Sequence, residues 1–262
     1  MAARSLAGAR VVLTGASSGI GSALAAELAR AGARLLLTAR REERLQRIAH
    51  EISTTAEPVG FVSGDIREPQ TRQQIFDDIQ RRWGSLDVLI NNAGVGAVGP
   101  FVRASAGRLR EIMETNFFAP VELTRLLLPT LRKGRTPLIV NVSSVLGHRA
   151  MPNKSEYCAS KFAMHGFSDA LRAELAQESI HVMLVSPSTT ESGFFEHLLE
   201  TDSTTRVRRG RPMPAAAVAR TICRGMRRNV DEIILTWSGT GLVWLDRIFP
   251  PLANLLAARF GQ

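Results

Sequence analysis

The stretch Val11-Val12-Leu13-Thr14-Gly15-Ala16-Ser17-Ser18-Gly19-Ile20-Gly21 runs from a short apolar strand directly into a glycine-rich turn, and Ser22 to Ala31 then reads as a helix closed by Gly32. An unbroken apolar strand suits a position covered on both faces of a sheet. Three glycines permit a tight turn and a close backbone approach to a pyrophosphate, which would lie at the positive end of the following helix. A glycine-rich turn alone is weak evidence, but here the strand before it and the helix after it supply the required context. Gly15, Ser17, Ser18, Gly19, Ile20 and Gly21 are therefore expected to contact a dinucleotide.

The same alternation continues outward. Strands are expected at Leu35–Thr38, Val59–Val62, Leu86–Ile90, Leu138–Val142, Val182–Val185 and Glu232–Thr236. Helices are expected over Glu42–Glu51, Gln70–Trp83, Arg108–Leu131, a segment through Tyr157 to about Glu178, and Ala215–Arg227. This pattern predicts an α/β chain: a Rossmann-type, doubly wound sheet of about seven parallel strands with helices on both faces. Ligands of such sheets bind at the carboxyl ends of the strands. With no linker or repeat, residues 1–238 read as one dinucleotide-binding and catalytic domain, with a lid over about 188–212. Residues 239–262 form an apolar, amphipathic extension, expected as two short helices broken by Pro250-Pro251.

The second strand ends Leu37-Thr38-Ala39-Arg40-Arg41. An NAD site would place an acid here to hold the adenosine ribose hydroxyls. Two arginines suit a 2′-phosphate instead, so the expected cofactor is NADP(H).

The only tyrosine, Tyr157, is followed four residues later by Lys161, one of three lysines in the chain. On a helix the two share a face, and a nearby ammonium favours phenolate, lowering the phenol toward the range useful for proton transfer.

The net charge is +9 over 262 residues, but the arginines are dispersed and no aromatic residues interleave with their clusters. That argues against nucleic acid as a partner. Cys158 and Cys223 lack metal-ligand spacing, so free thiols and no metal are expected. No signal peptide or run of about 20 apolar residues is visible, which reads as cytoplasmic, with membrane association through the tail left open.

Taken together, Thr-Gly-x-x-x-Gly-x-Gly at 14–21, Asn-Asn-Ala-Gly at 91–94, Ser144 and Tyr-x-x-x-Lys at 157–161 resemble a short-chain dehydrogenase/reductase of the single-domain, NAD(P)-dependent kind. The similarity covers nearly the whole chain. It implies that Asp65, with Ile66, contacts the adenine, and that Asn91, Asn92, Ala93 and Gly94 border the nucleotide groove, Asn91 also steadying the sheet. It further implies that Asn116 holds a water in a proton relay to Lys161, that Ser144 binds the substrate oxygen, and that Tyr157 exchanges its proton. Ser144 rather than Ser143 is selected by the family spacing. Lys161 would hold the nicotinamide ribose. Pro187, Thr190 and Ser192 would complete the cofactor site, although Ser188 stands where the family has glycine and Ser192 where it has threonine.

The implied activity is interconversion of a carbonyl and a secondary alcohol, on a small-molecule substrate of apolar character. A 3-oxoacyl thioester reductase and a non-catalytic NADP-binding sensor are the alternatives. The lid region is apolar at Phe194, Phe195, Leu198 and Leu199 and basic at Arg206, Arg208, Arg209 and Arg211. A homo-oligomer, dimer or tetramer, is expected. For the tail, packing on the domain, an oligomer contact and peripheral membrane contact all remain open.

Overall fold

The protein is described from a computed structural model, which covers residues 3–53, 58–191, 198–202 and 212–260. Nine strands are assigned among these residues: β1 Arg10–Thr14, β2 Arg34–Ala39, β3 Gly60–Ser63, β4 Val88–Asn91, β5 Leu138–Val142, β6 His181–Ser186, β7 Thr190–Glu191, β8 Met213–Pro214 and β9 Glu232–Ile234. The α-helices are α1 Gly19–Arg30, α2 Glu42–Ile52, α3 Pro69–Arg82, α4 Arg108–Met113, α5 Ala119–Leu131, α6 Ser155–Leu175, α7 Ala215–Arg228, α8 Trp237–Ile248 and α9 Pro250–Phe260.

Seven strands form one sheet in the order β3-β2-β1-β4-β5-β6-β9, and every pairing in it is parallel. The order reverses between β1 and β4, the point at which a doubly wound sheet opens a crevice. Side chains alternate across the strands. Val11 and Leu13 therefore pack with Leu24 and Leu28 of α1 and Ile222 of α7, in one buried cluster. Val12, Leu36 and Leu89 pack on the opposite face with Ile75, Ile79, Leu123 and Leu127.

The segment expected as one helix from Arg108 to Leu131 is interrupted by a π-helical turn, Glu114–Phe118. Pro120 lies in the first turn of α5. It has no N–H to give the carbonyl of residue 116, and its ring crowds that carbonyl in a regular α-turn. The wider turn relieves the crowding. β7 and β8 pair in parallel with each other, a two-stranded ribbon absent from the sequence expectations. The two helices expected in the tail are present as α8 and α9, and no helix among the described residues is long and apolar enough to cross a membrane.

Candidate active site

A cleft of about 600 Å³ runs along the carboxyl edge of the sheet. Its walls are the loops that follow six successive strands, from Gly15 after β1 to Thr190 after β6.

The glycine loop closes the nucleotide end. Gly15 and Gly19 have φ of +67° and +54°, where side chains are rarely accommodated. Their neighbourhood adds a second constraint. A Cβ on Gly21 would lie 2.1 Å from the Gly15 carbonyl oxygen, and one on Gly15 would lie 2.8 Å from Ala93 Cα. Close packing within the loop thus demands these glycines alongside any approach to phosphate. The N-cap Ser18 makes no side-chain capping bond to α1, and the first turn carries no acid, so its amides are oriented for an anion.

The Asn-Asn-Ala-Gly segment fastens the loop from the side. Thr14 Oγ1 accepts hydrogen bonds from the Asn92 and Ala93 amides at 2.9 and 3.0 Å. Asn92 Nδ2 donates to the Thr14 and Gly15 carbonyls at 2.9 and 3.2 Å. Asn91 does not border the groove. It is buried in β4, where Nδ2 donates to Asn141 Oδ1 and Thr124 Oγ1, so only the sheet-steadying half of its expectation holds.

Arg40 and Arg41 wall the cleft where β2 ends. Arg41 Nη2 donates to the Ser17 and Ser18 hydroxyls at 3.0 and 2.8 Å. Burial and the repulsion of Arg44 and Arg40 hold its guanidinium below the usual arginine range. A cation under such repulsion is stabilised by an arriving anion. Asp65 and Ile66 also line the cleft. The Asp65 carboxylate accepts from the Arg67 side chain at 2.7 Å and from its amide at 2.9 Å.

At the other end, Ser144, Tyr157 and Lys161 come together with Pro187 and Thr190. Ser144 caps a 3₁₀ turn, Val145–Gly147, by accepting from the Leu146 amide at 3.1 Å. Ser143, which also lines the cleft, donates to the Lys161 carbonyl. Lys161, one helical turn after Tyr157 on α6, places Nζ 5.7 Å from the phenol ring centre and donates to the Val142 carbonyl at 3.1 Å.

The electrostatics correct one expectation. Burial pushes the Tyr157 phenol up to about 12, and a hydrogen bond with Ser144 opposes this only in part. Burial also lowers the Lys161 ammonium to about 8. The half-buried phenol therefore sits above its ordinary value, where the spacing alone predicts a lowered one.

Asn116 lies behind the cleft wall rather than in it. Within the π-turn its side chain accepts from the Val95 amide at 2.8 Å and donates to the Val95 carbonyl at 2.9 Å and to Ser160 Oγ at 3.0 Å. Gly94 separates it from Lys161: a Cβ there would lie 3.2 Å from Asn116 Oδ1 and 3.6 Å from Lys161 Nζ. Ser192, Phe194, Phe195 and the arginines at 206–211 lie outside the described residues.

Sequence reasoning missed the remaining wall beyond Tyr157. Val95, Ala97, Val98, Leu146, Met151 and Lys154 line it, joined by Leu198, which the sequence had already placed in the lid. For the others the only sequence signal was proximity to the motifs. It also missed the ion pair of Arg108 with Glu156, 2.7 Å long and nearly solvent-free, which ties α4 to the start of α6.

A doubly wound sheet with a glycine loop at its switch point and a serine, tyrosine and lysine in the same cleft defines an NAD(P)-dependent oxidoreductase. The short chain dehydrogenase profile matches residues 9–203, and the chain belongs to that family. It is 33% identical over 253 residues to dehydrogenase/reductase SDR family member 7B of Danio rerio, covering 92% of this chain and 82% of that protein. The Bos taurus protein of the same name is 39% identical over 183 residues, covering 68% of this chain and 56% of that protein; the match thus spans little more than half of the bovine relative. Among solved structures, a short chain dehydrogenase/reductase from Burkholderia phymatum in complex with NAD superposes with a TM-score of 0.86 at 23% identity, covering 95% of this chain and 96% of that one. That likeness concerns the fold.

Proposed function

We propose that this protein is an NADP(H)-dependent oxidoreductase that interconverts a carbonyl and a secondary alcohol on an apolar substrate. One observation carries the reading. Ser144, Tyr157 and Lys161 converge in a cleft whose far end is walled by Arg40 and Arg41, with Ala39 where an NAD site would place an acid.

The glycine loop and the α1 amides would hold the pyrophosphate, and Arg40 and Arg41 the 2′-phosphate. A cofactor held there would supply hydride chemistry at the substrate carbon. The protein's own part is proton transfer and orientation. With its phenol held near 12, Tyr157 is protonated at neutral pH and donates to the substrate oxygen during reduction. Ser144 hydrogen-bonds the same oxygen and fixes it against the tyrosine. Lys161 would hold the nicotinamide ribose, and Asn116 would complete the proton route to it through a water, as the family resemblance implies. The apolar wall of Val95, Ala97, Val98, Leu146, Met151 and Leu198 excludes water and favours a lipophilic substrate.

The test is NADPH and NADH consumption over ketones, aldehydes and acyl thioesters, with Tyr157→Phe and Arg41→Ala alongside. The expected result is turnover with NADPH preferred, lowered about 10²- to 10⁴-fold in Tyr157→Phe, with the NADPH preference reduced in Arg41→Ala. Turnover confined to acyl thioesters would identify the thioester reductase. NADPH binding without any turnover would favour the sensor.

A further inference from the structure

Helices α8 and α9 present an apolar face to solvent. Trp244 is 54% exposed, Ile248 60%, Phe249 61%, Leu252 45% and Leu255 56%. Trp244 and Ile248 share one face of α8, and Leu252 and Leu255 share one face of α9, with Phe249 and the two prolines at the bend between them. The opposite side is anchored: Val243 and Ala253 are buried. A single guanidinium clamps both helices, Arg149 Nη1 pairing with Asp246 at 2.6 Å and Nη2 donating to Asn254 at 2.7 Å. The exposed side chains are therefore held outward by a defined packing.

The charges point to one occupant. Asp246 is the only acidic residue between 237 and 262, and Arg149 neutralises it. Among the described side chains of α8 and α9, the charge left outward is Arg247, its guanidinium 5.8 Å from the Trp244 ring centre. Tryptophan and phenylalanine beside arginine, with no uncompensated acid, match the boundary between lipid headgroups and acyl chains. A second copy would bring another chain of net charge +9 to the same face, whereas an anionic surface attracts that charge.

We propose that the α8–α9 hairpin seats this protein on an anionic phospholipid bilayer, with Trp244, Ile248, Phe249, Leu252 and Leu255 entering the interface and Arg247 at the level of the phosphates. The hairpin also adjoins the cleft, since a Cβ on Gly239 would lie 2.8 Å from Val145 Cγ1 in the turn capped by Ser144. A bilayer under the hairpin is thus close to the wall that a lipophilic substrate would reach. The docking itself does not depend on the assigned reaction.

The experiment is co-sedimentation of the full chain, without substrate or cofactor, with phosphatidylcholine vesicles and with vesicles containing about 30% phosphatidylglycerol. Wild type is expected to pellet with the anionic vesicles and to be released by high salt. The double variant Ile248→Asp, Phe249→Asp should bind at least about tenfold more weakly while its thermal melt, followed by circular dichroism, is unchanged. Failure of wild type to bind, or equal binding by the folded variant, would overturn the proposal. So would a solution dimer that the substitutions dissociate without any wild-type vesicle binding; that result assigns the face to a second copy. Because the readout is binding alone, its outcome is separate from any failure to find turnover.

Discussion

Tyr157 and Lys161 show how burial redirects a motif's chemistry. Their spacing puts the ammonium near the phenol, yet both groups are driven toward their neutral forms, the tyrosine to about 12 and the lysine to about 8. Across pH 6 to 10 the tyrosine therefore keeps its proton, and the lysine is the group of the pair that titrates. Below about 8 Lys161 is charged and can stabilise the phenolate left after proton donation; above 8 that help is lost. The prediction is a kcat/KM for reduction that falls about tenfold per pH unit above pH 8, a limb that reports on the free enzyme. A profile flat to pH 10 would remove Lys161 from that role. For folding the sign is separate. A lysine held below its unfolded value disfavours the native state below pH 8, and this cost declines as pH rises toward 10.5.

At the scale of elements, α4, the π-turn and α6 form the frame of the site. Arg108 joins Glu156 with both side chains about 95% buried, directly before Tyr157 in sequence. Removing one member strands the other charge. Arg108→Leu is predicted to cost about 3–5 kcal/mol, read as a lower urea midpoint, and to slow turnover by loosening the start of α6. Adding Glu156→Leu should return much of that stability, because the stranded carboxylate is gone. The sequence made part of this frame legible. Continuous apolar runs located β5 at 138–142, and a tyrosine and lysine four apart located the face of α6 that lines the cleft. It did not place the turn at Glu114–Phe118, although Pro120, interior to the helix expected over 108–131, was the signal that could have marked a break there. Nor did it reveal that Asn116 clamps Val95 from behind the cleft. β7 and β8, two residues each, are too short for any periodicity to register. The pKa directions were unreadable for a related reason: a spacing gives proximity, whereas desolvation depends on everything packed around the pair.

For the whole molecule, the response to acid follows from groups that the fold keeps uncharged or paired. His165 of α6 lies against His148, ring centres 4.2 Å apart, with its Nε2 3.4 Å from the Ser186 hydroxyl. Burial first, then the His148 charge, lowers it to about 4; Glu232 and Asp169 oppose this weakly, and Lys161 adds to it. A histidine held below its unfolded value of about 6.5 is neutral when folded but takes a proton when unfolded, so stability falls as pH drops from 6.5 to 4. The carboxylates act lower. Asp87, which accepts from Arg10 at 2.7 and 2.8 Å, is held below the usual range by hydrogen bonds from Arg10 and Arg135, against the opposing effect of burial. Its contribution is complete above the unfolded carboxylate value and is lost only as pH falls below about 4. Acid should therefore weaken the protein in two stages, histidine first. Between pH 7 and 5 the melting temperature is predicted to fall by an amount corresponding to about 2 kcal/mol, and His165→Gln, which keeps a neutral polar group beside Ser186, should remove most of that fall. If the variant loses as much as wild type over this interval, the first stage belongs to another group.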